Sequence, residues 1–129
     1  MSSRSEPVVL DASALLALLQ GEPGAVEVEG ALDGALMSSV NLSEVMQKAE
    51  QHGVETEGLE YDLEALGLEF RSFDLPMARP AAELWSAGSG LSFGDRACLA
   101  LARSTRSVAL TTHAAMAAGR SETGVRLIR

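Results

Sequence analysis

The chain has 129 residues, 47% of them hydrophobic, which is the size of one domain with one aliphatic core. Its formal net charge of -8 argues against coating nucleic acid by bulk electrostatics, which needs Lys and Arg to neutralise phosphates, but leaves room for a nuclease and favours a basic protein partner. The lone cysteine, Cys98, excludes an internal disulfide and points to a reducing compartment, and no run approaches the roughly 18 apolar residues of a membrane span. The polar N-terminal MSSRSEP has no apolar stretch of a secretory signal, so a cytoplasmic protein with no membrane segment is expected.

In chain order, Pro7 to Leu10 reads as a short buried strand that delivers Asp11 to the start of an apolar helix from Ala12 to Leu19, stopped by Gly21. Glu22, Pro23 and Gly24 turn into a second helix bearing Ala25, Val26, Val28 and Leu32, ended by Gly34. Ala35 to Ser39 predicts a second strand. Asn41 to Gln51 then predicts a helix with Leu42, Val45, Met46 and Ala49 in one stripe. Val54 to Leu66 reads as a helix with Leu59, Leu63 and Leu66 inward, and Gly67 as its cap. A third strand follows over Leu68 to Phe73, then a helix from Met77 to Ala87 that buries Ala81, Leu84 and Trp85. Ser92 precedes a helix from Phe93 to Arg103, whose inner face is Ala97, Cys98, Leu101 and Ala102. Ser107 to Thr111 is a fourth strand, followed by Thr112, His113, a short alanine-rich helix and a last strand around Val125 to Ile128. Alternating strands and helices imply βαβ units and a parallel sheet.

Three acids stand where strands give way to helices or helices begin: Asp11, Glu44 and Asp95. Each has a local explanation. Asp is a favoured N-cap, and Asn41 with Glu44 and Ser92 with Asp95 have capping-box spacing. A parallel sheet nevertheless gathers such positions at its carboxyl edge, where three carboxylates need a compensating cation, and oxygen donors suit magnesium or manganese. His113 reaches the same edge as a fourth candidate ligand, bringing no charge and a softer donor. Ser13 and Thr112 are candidates to hydrogen-bond the ligands. His52, before Gly53, is placed to meet the last carbonyls of its helix. Cys98 reads as a buried structural thiol, and Gly88, Gly90 and Gly94 lack the setting of a phosphate loop.

The stretches VVLDASALLALLQGEPG, SSVNLSEVMQKAEQHG, LSFGDRACLALA and VALTTHAAMA, in this order, resemble a PIN domain of the VapC toxin type over nearly the whole chain. The resemblance implies one PIN-like domain over residues 1–129, of three-layer α/β/α class with a central, mainly parallel sheet. It also implies a homodimer, a magnesium- or manganese-dependent endoribonuclease acting on RNA, and control by a VapB-type antitoxin. On the matching positions, Asp11, Glu44 and Asp95 would be the metal ligands, Arg96 would hold the phosphate, and Asn41 would lie beside the ligands or substrate. Where family members carry an aspartate this chain has His113, which implies a weaker or manganese-preferring nuclease, or a PIN module retained for binding RNA or a basic partner.

Overall fold

Short strands in which neighbouring residues point to opposite faces set up the architecture, because both faces of the sheet are apolar and both must be covered. The computed structural model describes residues 7–118 and 124–128, so the reading of residues 1–6 lies outside the described residues. The strands are β1 (Val8–Leu10), β2 (Leu36–Ser38), β3 (Glu69–Arg71), β4 (Val108–Thr111) and β5 (Val125–Leu127). They form one sheet in the order β3-β2-β1-β4-β5, and every pairing is parallel. Val8, Val9 and Leu10 of β1 lie opposite Val108, Ala109 and Leu110 of β4.

The alternation splits the core in two. Val8, Leu10, Met37 and Leu110 point to one face, where they meet Ala14 and Leu15 of α1 (Ala12–Gln20) and Val28 of α2 (Ala25–Ala31). Val45 of α3 (Ser39–Gln51) and Leu63 of α4 (Leu59–Ala65) complete that layer. Val9, Leu36 and Ala109 point the other way, onto Cys98, Leu99, Leu101 and Ala102 of α6 (Phe93–Thr105) and Met116 of α7 (Ala114–Ala117), with Leu84 packed alongside. Leu84 ends α5 (Leu75–Glu83), which lies against α6. The result is the expected three-layer α/β/α arrangement. The chain runs outward from β1 to β3 and then returns to place β4 on β1's other side, so the topological switch falls between β1 and β4.

Local signals account for most boundaries. Gly21 ends α1 at φ 65, in the left-handed region that glycine enters without a Cβ penalty, and Gly67 follows α4 at φ 100. His52 Nδ1 sits 2.8 Å from Lys48 O at the end of α3, as anticipated.

Three expectations are corrected. The helix over Val54 to Leu66 starts only at Leu59, because Gly58 at φ 80 forms a left-handed N-cap, and Leu66 is 59% exposed rather than inward. The helix placed over Met77 to Ala87 runs instead from Leu75 to Glu83, so Trp85 falls beyond it and is 64% exposed. Asn41 caps nothing: α3 begins two residues earlier, with Ser38 Oγ accepting from Val40 N at 3.2 Å.

Candidate metal centre

Asp11 is delivered to the switch point by β1, where its backbone N–H still bonds Leu110 O across to β4 at 3.1 Å. Its carboxylate caps α1 and is only 3% exposed. Oδ1 accepts from Ser13 Oγ at 2.6 Å and from Ala14 N at 3.0 Å, and Oδ2 accepts from Thr111 Oγ1 at 2.7 Å. Burial pushes the carboxyl above its ordinary range, the three hydrogen bonds pull it back, and the charge of Asp95 adds to the upward push. Capping and a second role therefore coexist in one side chain.

The two hydroxyls are themselves fixed. Ser13 Oγ accepts from Thr112 N at 2.9 Å, and Thr111 Oγ1 accepts from His113 N at 2.9 Å, so each is left to point its proton at Asp11. Sequence reasoning selected Ser13 and Thr112 and missed Thr111. Thr112 contributes its backbone N–H, while the buried hydroxyl belongs to Thr111, the last residue of β4.

Glu44 projects from α3 onto the start of α6. Asn41, one turn earlier and 1% exposed, donates through Nδ2 to both Glu44 Oε1 and Gly94 O, each at 3.0 Å. A Cβ on Gly94 would run into both oxygens of the Glu44 carboxylate, so a glycine is what lets that carboxylate lie against the start of α6 where Asn41 holds it. Gly94 is the second position missed as a site residue. Its sequence signal, a glycine inside an otherwise helical run just before Asp95, could have marked a close approach. Asn41 Oδ1 is buried and has no hydrogen-bond partner.

Asp95 occupies the third position of α6 in the expected capping box: Ser92 N donates to its Oδ2 at 3.0 Å, and Asp95 N donates to Ser92 Oγ at 3.1 Å. His113 Nε2 stands 3.4 Å from the same Oδ2 and 3.3 Å from Gly90 O. Arg96 turns to the neighbouring helix: Nη1 donates to Ala81 O at 3.0 Å, near the end of α5, and the guanidinium carbon lies 5.6 Å from the centre of the Phe93 ring. It thus ties α5 to α6.

Cys98 lies one turn after Asp95 on the buried face of α6. Its buried thiol is pushed well above its ordinary value, first by desolvation and then by the charges of Asp11, Asp95 and Glu44, all near enough to be felt there. Among the described residues, no group of three His, Cys, Asp or Glu side chains is arranged so as to hold an ion as they stand. Two of the acids lean on donors beside them, Glu44 on Asn41 and Asp95 on Ser92. The donor set nevertheless fits a hard divalent cation in kind: carboxylate oxygens backed by hydroxyls, and a buried acid whose burial disfavours its charge.

Comparison with known proteins agrees with this architecture. The chain is similar to a toxin-antitoxin complex from Klebsiella pneumoniae, at 22% identity and a TM-score of 0.73 over 92% of this chain and 95% of that one. It is also similar to the crystal structure of PAE2754 from Pyrobaculum aerophilum, at 17% identity and a TM-score of 0.62 over 93% and 83% of the two chains. Likeness at these identities bears on the fold. A search of curated proteins finds no match. The PIN domain profile matches residues 8–117, a span that takes in Asp11, Glu44, Asp95 and His113, and the chain belongs to the PIN domain family.

Proposed function

We propose that the chain, as one PIN-like domain, is a metal-dependent endoribonuclease of the VapC type, the toxin half of a toxin-antitoxin pair. The observation that carries the reading is the buried Asp11 carboxylate at the β1–β4 switch point, both of its oxygens held by Ser13, Ala14 and Thr111, with Glu44 on α3, which packs against α1 and α6, and Asp95 in the first turn of α6. Family membership supports nuclease chemistry, and the Klebsiella neighbour, a toxin-antitoxin complex, supports an antitoxin partner, for which the sequence resemblance implies the VapB type. Leu75 at 87% and Trp85 at 64% exposure leave apolar surface for a homodimer to cover. Among the described residues no helix is long and apolar enough to cross a membrane.

Asp11 and Asp95 would hold magnesium or manganese, with Glu44 contributing directly or through water and His113 at the rim. Bound there, the ion would supply Lewis acidity toward an RNA phosphodiester and the water attacking it in line. The protein's part is orientation. Ser13, Ala14 and Thr111 fix both oxygens of Asp11, so that carboxylate stays oriented when charge develops, while Glu44 and Asp95 would turn from Asn41 and Ser92 to meet the ion. His113 against Asp95 favours a second reading, a PIN module whose cleavage is weakened and which acts by binding RNA or its basic partner.

The test is cleavage of mixed single-stranded RNA by antitoxin-free protein with magnesium, manganese or chelator. Metal-dependent cleavage that Asp11→Asn abolishes supports the nuclease reading, and a higher rate in His113→Asp supports the weakening. No cleavage by either the parent or His113→Asp gives the binding module precedence.

A further inference from the structure

An acidic chain that acts on RNA must gain affinity from something other than phosphate neutralisation, and the carboxyl edge of the sheet offers one surface suited to that. Phe93 is the first residue of α6, two positions before Asp95, yet 48% exposed. A half-exposed ring at a helix start adds little to a core. Phe73, just beyond β3, meets it edge to face with ring centres 5.2 Å apart and an interplanar angle of 85°. Phe73 N donates to Ser39 Oγ at 3.0 Å, which ties this aromatic to the start of α3, the helix that carries Glu44. The Arg96 guanidinium lies over the Phe93 ring, fixed by its bond to Ala81 O. Two rings and a cation are therefore held in set positions where α6 begins, between the start of α3 and the end of α5, on the helices that carry Glu44 and Asp95.

We infer that Phe93, braced by Phe73 and Arg96, is a stacking site for an unpaired RNA nucleobase adjoining the phosphodiester to be cut, an inference that rests on the ribonuclease reading of the neighbouring acids. Unpaired bases are bound on aromatic faces and guanidinium planes, and every base offers such a face. Affinity won this way depends weakly on salt, which suits a chain of net charge -8. It also selects single-stranded or looped RNA, since a base inside a duplex has no free face.

The experiment compares Phe93→Leu, which keeps apolar volume without a π face, with Phe93→Tyr, which keeps the face. Each is made in the parent for the KM of RNA cleavage and in Asp11→Asn for binding of fluorescent single-stranded RNA, with melting temperature as a check on folding. Leucine is expected to weaken binding and raise KM by about 5- to 150-fold, and tyrosine to restore both. The salt slope of binding should be shallower than about -1.5, the equivalent of roughly two phosphates. Cleavage by the parent with Phe93→Leu unchanged, or with leucine and tyrosine equally impaired, overturns the stacking site and leaves the nuclease reading standing. Leucine-sensitive binding without cleavage upholds the stacking site and sinks the nuclease reading. Neither binding nor cleavage by any form overturns both.

Discussion

The contact between Gly94 and Glu44 permits a quantitative test of how the candidate site is held together. Gly94 sits inside α6 with helical backbone, so Gly94→Ala on helix propensity alone should stabilise the protein by about 0.5 to 1 kcal/mol. The added Cβ, however, overlaps the Glu44 carboxylate, and clearing it moves that group off Asn41 Nδ2. Losing a hydrogen bond to a charged acceptor costs about 1.5 to 3 kcal/mol, so the second effect wins and the net is a destabilisation of about 0.5 to 2.5 kcal/mol. Urea denaturation should register this as a midpoint lowered by roughly 0.5 to 1.5 M at the m-values usual for small domains. In a Glu44→Ala background the obstruction is gone, and Gly94→Ala should become neutral or stabilising. The double-mutant cycle should then show a coupling of about 1.5 to 3 kcal/mol. Effects that add within about 0.5 kcal/mol, or a stabilised single variant, would refute the account of why this position is glycine.

Three further outcomes are expected. Because burial raises the Asp11 carboxyl, its ionisation is disfavoured by folding: the folded state is favoured below the unfolded-chain value of 3.8 and loses that advantage as pH rises through the folded value. In chelator, the melting temperature of Asp11→Asn should therefore gain on the parent's from about pH 4 toward neutrality, and parallel pH profiles would contradict this. Thr111→Val should cost about 1.5 to 3 kcal/mol in denaturant unfolding, since the isosteric side chain removes both the bond to Asp11 and the acceptor for His113 N, while Thr111→Ser should cost much less. Cys98, buried and with its thiol pushed far up, should resist an aromatic disulfide reagent in native buffer and react only on unfolding; rapid native labelling would place it wrongly.

Sequence alone makes the order of elements, the parallel α/β class and the α6 capping box legible, because these follow from short-range periodicity and capping chemistry, but Glu44, expected where a helix begins, stands in the second turn of α3. It overran where local pattern and global packing parted. A run from Val54 to Leu66 carries helical spacing throughout, yet Gly58 restarts the helix, and Leu66 and Trp85 meet solvent because no layer lies beyond them. What surrounds the acids is set by long-range packing. Thr111 reaches Asp11 across 100 residues, and Asn41 reaches Gly94 across 53, because the sheet order sets β4 beside β1 and packs α6 on α3. A hydroxyl at a strand end and a glycine in a helix have no local signature of the carboxylate they will face. Their partners are chosen by strand order and by the approach of two helices, which sequence neighbours do not encode.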